Sequence, residues 1–301
     1  MKTLVVGAAM IDMIMVMDRL PQSGEDVLCK ESTLKVGGCA YNVANTLKNL
    51  ECEFDLCVPV GNGAYGSIIE KELKSKGYRT LIKDNTKDNG YCICMVESNG
   101  ERTFVTCQGV EGNYKKEYLK NINDSEYENI YIAGYQVCNH SGEVVSEWLT
   151  SLQGKTVYFA PGPVICSIET KTMERIMDIH PIIHLNDKEI LDYTEEKSIE
   201  KGLYKLYQKN HNLIIVTAGT QGAIYYDGKE IHTVPAKKAK VVDTIGAGDS
   251  HIGAFIGGIS KGMNIEESLK LANKVAANIV EVQGPVMTKE EFDERMGREN
   301  E

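Results

Sequence analysis

The sequence predicts an α/β fold in which a central, mostly parallel sheet is flanked by helices and carries a small β-sheet lid. Short apolar runs alternate with longer amphipathic stretches along most of the 301 residues, which is typical of β-α units on a parallel sheet. Two stretches, 13–36 and 88–107, break this rhythm with hairpin-like patterns and predict the lid. We expect one domain spanning residues 1–301.

Composition and charge limit the kinds of partner and the location that we expect for the protein. Acidic residues outnumber basic ones by 43 to 33, for a formal net charge of −10, so we expect no nucleic-acid partner. No segment approaches the roughly 20 apolar residues of a membrane span, and Asp12 interrupts the apolar N-terminal run, so we expect no membrane association and read that run as a strand. Nine scattered cysteines without CxxC pairs indicate reduced thiols and a cytoplasmic protein.

The alternation of patterns assigns the individual elements. Helical spacing predicts helices at 42–50 and 67–76, the second ending at Gly77. Apolar runs predict buried strands at 4–11, 54–60, 129–134, 156–161, 181–186 and 213–219. Ligands of open parallel sheets bind beyond the carboxyl ends of the strands, so we expect Asp12, Asn186 and Thr217 at the site.

The second lid stretch contains an SNGE turn at 98–101 and two cysteines. Cys92 and Cys94 are two residues apart on a strand and therefore face the same side. Packing or lining of the lid is favoured over a metal site, because a metal would need further ligands nearby.

The strongest local signal is VVDTIGAGDSHIGAFI at 241–256. Gly246, Ala247 and Gly248 precede an apolar helical stretch, so their backbone N–H groups would point outward at a helix N-terminus and form an anion site. Asp249 lies in the same turn. An Asp there is commonly a helix cap, but a cap does not require such a bare Gly-Ala-Gly turn.

These motifs resemble the signatures of the ribokinase-like PfkB family of carbohydrate kinases. The stretch from Asp243 to Ile256 is similar to the second family signature, D-T-x-G-A-G-D, and residues 37–61, with GGCAYNVA, are similar to the first. Glu51 departs from the usual Gly or Ser, in a turn after a helix. The resemblance spans nearly the whole chain and implies a ribokinase-like fold and ATP-dependent phosphorylation of a primary hydroxyl of a small sugar of the ribose or fructose type.

The resemblance also implies roles in phosphoryl transfer, which needs an aligned hydroxyl, a proton acceptor and stabilised charge. Asp249 would be the base, and Gly246, Ala247 and Gly248 would donate N–H groups to the γ-phosphate. Asn186 and Glu189, spaced N-x-x-E, would organise Mg²⁺ through water and the nucleotide phosphates. Taken by themselves, the last two residues fit a capped helix start better than a metal site.

Binding residues follow in the same way. The nucleotide would lie near Thr217, Gly219 and Gly222, with Asn273 beside the adenine. The acceptor would be held by Asp12, Gly38 and Asn42, whose polar groups suit vicinal hydroxyls. A Walker A loop is not present, because Leu149 stands where the first glycine of that motif is needed.

The resemblance leaves two features with two interpretations each and adds one implication for assembly. Asp243, with carbonyl groups near Ile245, Val280 and Gly284, resembles a monovalent-cation site for K⁺, but fits a buried cap equally well. His251 stands where the family more often has Phe, and packing is slightly favoured over substrate contact. The lid resembles one that closes over the sugar and often pairs with that of a second subunit, which implies a homodimer.

Two other functions stay open. A nucleoside kinase of the same superfamily would use the same chemistry, with Tyr41, Cys94 and Phe104 lining an apolar base site. A sugar- or nucleotide-binding sensor without catalysis is disfavoured by Asp249 and the intact glycine turn. A dehydrogenase would need GxGxxG after the first strand, where this chain has GAAMID.

Overall fold

The structure, a computed structural model, describes residues 1–98 and 101–297. Its main sheet has eight strands in the order β14-β13-β12-β11-β10-β9-β1-β4. All neighbours pair in parallel except β12 with β13 and β13 with β14. The strands are β1 (Thr3–Val6), β4 (Phe54–Cys57), β9 (Asn129–Ala133), β10 (Thr156–Ala160), β11 (Ile182–Asn186), β12 (Ile214–Thr217), β13 (Ala223–Tyr226) and β14 (Ile231–Val234).

Helices cover both faces of this sheet because its strands are apolar on both sides. Val5 packs into the core beneath α1, α8 and α9, whereas Leu4 and Val6 point into the core beneath α4, α5 and α7. Within the described ranges, no helix is long and apolar enough to cross a bilayer. The helices are α1 (Cys39–Asn49), α2 (Ala64–Ser75), α3 (Lys116–Lys120), α4 (Asn139–Ser151), α5 (Thr170–Asp178), α6 (Asp187–Thr194), α7 (Ile199–Asn210), α8 (Ala247–Ser260), α9 (Ile265–Ile279) and α10 (Lys289–Gly297).

The lid is a separate sheet of four strands in the order β3-β2-β7-β8. Its strands are β2 (Met10–Met17), β3 (Glu31–Gly37), β7 (Tyr91–Glu97) and β8 (Arg102–Cys107). β2 pairs antiparallel with β3 and parallel with β7, and β7 pairs antiparallel with β8. Both stretches predicted as lid therefore lie in this sheet, although the middle of the predicted SNGE turn, residues 99–100, lies outside the described residues.

The predicted strand at 4–11 is wrong, because the chain changes sheets within it. β1 ends at Val6 and β2 starts at Met10 in the lid. Between them Gly7 packs so closely on α1 that an added Cβ would lie 2.6 Å from Ala40 Cβ. Asp12 therefore lies within a lid strand and not, as predicted, at the carboxyl end of a main-sheet strand.

Two further departures concern short strands. The predicted strand at 54–60 divides into β4 and β5 (Pro59–Val60), and β5 pairs in parallel with β6 (Ile82–Lys83) in a separate two-stranded sheet. Pro59 has no N–H to donate, which limits continuation of the main-sheet ladder. The hairpin of β13 and β14 is not among the predicted strands. Asn186 and Thr217 do stand at the carboxyl ends of β11 and β12, as predicted.

Candidate active site

The predicted anion turn forms the start of α8. Gly246 precedes the helix with a left-handed backbone, φ 74°. An added Cβ there would lie 2.6 Å from the Pro285 carbonyl oxygen, so both conformation and space require glycine. The turn thus leaves the first N–H groups of α8 without side-chain capping bonds, at the positive end of the helix dipole.

Gly248 faces open space, in contrast to Gly246. An added Cβ at Gly248 would have no heavy atom within 4 Å. Gly248 and Thr217 line two cavities, one of about 620 Å³ and one of about 200 Å³. The two cavities therefore meet at the start of α8, and the smaller one has Asp249 in its wall. The anion turn faces this junction and not the protein interior.

Close packing of two helices brings Asn42 to Asp249. α8 carries glycines on the side facing α1: a Cβ at Gly253 would lie 3.1 Å from Thr46 Cβ, and one at Gly257 would lie 2.8 Å from Leu50 Cδ1. This approach lets Asn42 Nδ2 donate a hydrogen bond of 2.8 Å to Asp249 Oδ2. Asn42 Oδ1 is buried and has no hydrogen-bond partner among the described residues.

Two carboxyl groups with raised pKa values lie at this point. Burial raises the pKa of Asp249 to about 6, although hydrogen bonds from Asn42 and Cys39 oppose the shift. Burial, and then the charge of Asp249, raises the pKa of Asp12 to about 7. Asp12 is held close to Gly37 on the neighbouring strand, where an added Cβ would lie 1.9 Å from Asp12 Oδ2. Such a pair of carboxyls in a cleft is a common feature of catalytic sites.

Asn186 and Glu189 form the capping box of α6. Asn186 Oδ1 accepts the Glu189 N–H at 2.8 Å, and the Glu189 carboxylate accepts the Asn186 backbone N–H at 2.9 Å and its Nδ2 at 2.8 Å. Both residues line the smaller cavity. Burial raises the pKa of Glu189, and the charges of Asp187 and Asp249 add to this shift. The predicted helix cap is thus present, and the Glu189 carboxyl lines the same cavity as the anion turn.

The larger cavity is lined by the residues predicted for the nucleotide. Thr217, Gly219, Gly222 and Asn273 all lie in its wall, together with Ala236, Lys237, Lys238, Val241, Ala276 and Ala277. Gly222 has φ 96°, and a Cβ there would lie 2.1 Å from Val234 O, so this turn also requires glycine. An apolar cleft with a few polar groups fits a flat aromatic base.

A buried chain of polar groups connects this cavity to the main sheet. Asn273 Nδ2 donates to Val234 O and Pro235 O, so its Oδ1 accepts a hydrogen bond of 3.1 Å from His251 Nε2. Burial lowers the pKa of His251 to about 4, so the ring is neutral and its Nδ1 accepts from His184 Nε2 at 2.8 Å. His251 is therefore packed in the wall of the larger cavity, where it hydrogen-bonds both Asn273 and His184.

Comparison with known proteins agrees with this geometry. The family model described as pfkB family carbohydrate kinase matches residues 1–291. The chain belongs to this family. The chain is 35% identical, over 92% of its length and 88% of the relative's, to a protein of Escherichia coli K12 named "Uncharacterized sugar kinase YegV". It is 25% identical to the ribokinase of Lactococcus lactis, over 90% and 88% of the two chains.

Solved structures share the fold of this pfkB-family kinase. The ribokinase of Thermotoga maritima matches with a TM-score of 0.83 at 23% identity, over 99% of both chains. A ribokinase of Arabidopsis thaliana, solved with ribose and ATP, matches with a TM-score of 0.81 at 20% identity, also over 99% of both. The predicted ribokinase-like fold is confirmed, and the protein is a sugar or nucleoside kinase, a phosphotransferase with an alcohol acceptor.

Some residues predicted for this kinase lie elsewhere. Tyr41 is buried in the core and donates its hydroxyl to Glu72 Oε1 at 2.7 Å, and Phe104 is 53% exposed on the lid. Tyr41 therefore does not line a base pocket, which the nucleoside interpretation allowed, whereas Phe104 pairs with Cys94 and lies on the same face of the lid. Cys94 is buried, and the pKa values of Cys92 and Cys94 both respond to Asp12, which places them on the inner side of the lid. Among residues 1–98 and 101–297, no three His, Cys, Asp or Glu side chains are grouped to hold a metal ion.

Several site residues were missed from the sequence. Cys39 hydrogen-bonds Asp249, and Tyr135, on the segment after β9, lines the smaller cavity. His184, in β11, supports His251. Cys39 lies inside the GGCAYNVA motif, so the motif itself was a signal. Neither Tyr135 nor His184 lies in a motif, and only the folded arrangement brings them to the site.

Proposed function

We propose that this kinase transfers the γ-phosphoryl group of ATP to a primary hydroxyl of a small sugar of the ribose or fructose type. Asp249 acts as the base, and the N–H groups of Gly246, Ala247 and Gly248 form the anion hole. The observation that carries this proposal is the hydrogen bond between Asn42 and Asp249, beside the open face of Gly248, where the two cavities meet. The proposed base, the proposed anion site and Asn42, proposed to bind the acceptor, therefore lie in one place.

The chemistry follows from this arrangement. The acceptor oxygen forms a bond to the γ-phosphorus while the bond from that phosphorus to the bridging oxygen of ADP breaks. The hydroxyl proton goes to an Asp249 oxygen, which Asn42 holds in place. Charge on the transferring group is stabilised by the N–H groups at the start of α8. Asn186 and Glu189 would hold Mg²⁺ through water, and that ion would neutralise phosphate charge.

The acceptor side is built from polar groups with free capacity. Asn42 Oδ1 has no hydrogen-bond partner among the described residues, and the Asp12 carboxyl, on lid strand β2, is close enough to Asp249 for that charge to raise its pKa. Gly38 has φ 101°, and an added Cβ would lie 2.6 Å from Ala8 O, so this position before α1 requires glycine. The cavity of about 200 Å³ against Asp249 is lined by Asn186 and Glu189 but, among the described residues, not by Asp12, Gly38 or Asn42, so its size does not select the acceptor.

Relatives support the choice of substrates. The relative at 35% identity is named a sugar kinase, and the Arabidopsis structure contains ribose and ATP. A ribokinase of Cryptococcus neoformans with a TM-score of 0.80 was solved with ADP. We therefore assign the larger cavity to ATP, with Asn273 beside the adenine.

The lid also carries an apolar surface for a second subunit. Leu34 and Val105 are 56% and 47% exposed, and the strand register places both on the face of the lid opposite to Asp12. Contact between two such faces would bury these apolar side chains. We propose a homodimer through the lid, and a cytoplasmic location stays a prediction.

The test is ADP release across a panel of pentoses, hexoses and nucleosides with ATP and Mg²⁺. The proposal expects one sugar to exceed the nucleosides in kcat/KM. A nucleoside as best acceptor would replace the sugar assignment and keep the kinase chemistry. Binding of sugar and ATP by calorimetry without any turnover would instead support a sensor and overturn the proposal.

The two carboxyls predict a pH dependence. The base must be deprotonated, so kcat/KM should rise with pH through apparent pKa values between about 6 and about 7 and then level off. Because Asp12 and Asp249 disfavour each other's charge, Asp12→Asn should leave one ionisation at or below about 6, with a higher KM for the acceptor. The measurement is kcat/KM from pH 4.5 to 9. An unchanged two-step profile in Asp12→Asn would contradict the coupling.

A further inference from the structure

Asp243 lies in the loop that leads into the anion turn, and both oxygens of its carboxylate have partners in the protein. The side chain is buried. Oδ1 accepts the Ile245 N–H at 2.8 Å and lies 2.8 Å from Nη1 of Arg102, while Oδ2 accepts the Gly284 N–H at 2.9 Å. Arg102 is the first residue of β8, so its guanidinium reaches this loop from the lid.

A monovalent cation does not fit this arrangement. Arg102 already neutralises the negative charge that would attract the ion. The Val280 carbonyl, expected as a ligand, accepts the N–H groups of Val242 at 2.7 Å and Asp243 at 3.0 Å. A carbonyl oxygen has two lone pairs, so Val280 has none left for coordination. Asp243 and the Val280 carbonyl, two of the groups that resemble a K⁺ site, are thus bonded to the protein itself.

A second lid cation reaches the same region. Lys35, on β3, donates from Nζ to Gln283 O at 3.2 Å. An added Cβ on Gly284 would lie 3.0 Å from this nitrogen. Two loops support Gly246, and the lid contacts each of them. Arg102 contacts the first loop at Asp243, and Lys35 contacts the second at Gln283.

We propose that Arg102 takes the place of a monovalent cation, so that the enzyme is indifferent to K⁺ and Na⁺ and braces its anion turn through the lid. Arginine keeps its charge at all working pH values and holds a carboxylate in a fixed geometry. Asp243 hydrogen-bonds Ile245, the residue before Gly246, so the ion pair fixes the start of α8. Arg102 is thus a positioning residue for the N–H groups that bind phosphate.

The test compares wild type, Arg102→Met and Arg102→Lys in chlorides of K⁺, Na⁺ and tetramethylammonium at equal ionic strength. Arg19→Met is the matched control, because Arg19 is also on the lid stretch but pairs with Glu25 with its side chain 55% exposed. Thermal unfolding is the first readout. Wild type and Arg19→Met should melt at the same temperature in all three salts. Arg102→Met leaves a buried carboxylate unpaired and should melt about 5 to 15 °C lower in tetramethylammonium, with part of the loss restored by K⁺.

Activity is the second readout, and this part rests on the proposed function. Wild-type kcat/KM should change less than about twofold between salts. In Arg102→Met it should fall about 5- to 100-fold without K⁺ and recover with K⁺, and Arg102→Lys should stay close to wild type in every salt. If Arg102→Met does not fold, the salt dependence of wild type and of Arg102→Lys still tests the inference.

Selective K⁺ activation of the wild type by more than about fivefold, or a melting temperature raised by K⁺ alone, would overturn the inference. Such a result would leave the proposed function intact. Absence of turnover with every acceptor would instead remove the proposed function, and the melting comparison would still decide whether Arg102 replaces the ion.

Discussion

Replacement of Asp249 by Asn is expected to lower kcat by about 10² to 10⁴-fold. The amide keeps the shape of the carboxyl group and its contact with Asn42, but it cannot take the proton of the acceptor hydroxyl. Acceptor KM should change little, because Asp12 and Asn42 remain. Steady-state ADP release with the best acceptor of the panel measures both constants.

The control for this variant is Asp293→Asn, in which an Asp with 56% of its side chain exposed on α10 loses its charge. It should keep wild-type kcat. The melting temperature of Asp249→Asn should equal or exceed that of wild type, since one of two mutually unfavourable carboxylates is removed. A kcat within fivefold of wild type would show that another group accepts the proton.

Gly248→Val is expected to reduce kcat/KM by about 10²-fold or more without loss of stability. The side chain would enter the open space in front of the anion turn, where the γ-phosphoryl group is proposed to lie, and remove access to its N–H donors. No heavy atom lies within 4 Å of the new Cβ, and glycine is a poor helix former, so the fold should tolerate the change.

Gly246→Ala separates this effect from damage to the fold. Its φ of 74° and the Pro285 carbonyl at 2.6 Å make any side chain unfavourable, so this variant should lower the melting temperature. Thermal unfolding and ADP release of both variants give the comparison. Normal turnover by Gly248→Val would place the phosphate elsewhere.

Local patterns predicted much of this molecule. Strands β9 to β12 were recognised because apolar runs bounded by polar residues, Gly or Pro are local signals. The Gly246 turn was recognised because backbone conformation limits it to glycine. Asn42 and Asp249 were both predicted from their motifs, and the structure joins them by a hydrogen bond.

Other features depend on contacts between distant segments. Asp12 was assigned to a main-sheet strand end because the run 4–11 is continuously apolar, and nothing in that run shows that Gly7 turns the chain into the lid. The pairing of Arg102 with Asp243 joins a hairpin to a loop far along the sequence. The His184–His251 contact likewise depends on how α8 lies against β11. Such pairings cannot be predicted from the composition of the chain or from the spacing of residues along it.

The change of sheet after Val6 divides the residues proposed to bind the acceptor between the lid and the main layer. Asp12 belongs to β2 and travels with the lid, whereas Asn42 and Asp249 belong to helices of the main layer. A hinge rotation of the lid would therefore move Asp12, proposed to bind the sugar, away from Asp249, and the two carboxyl groups would lie farther apart. At such an opened site a water molecule would meet Asp249 and Asn42 without Asp12, and this incomplete site would limit the hydrolysis of ATP.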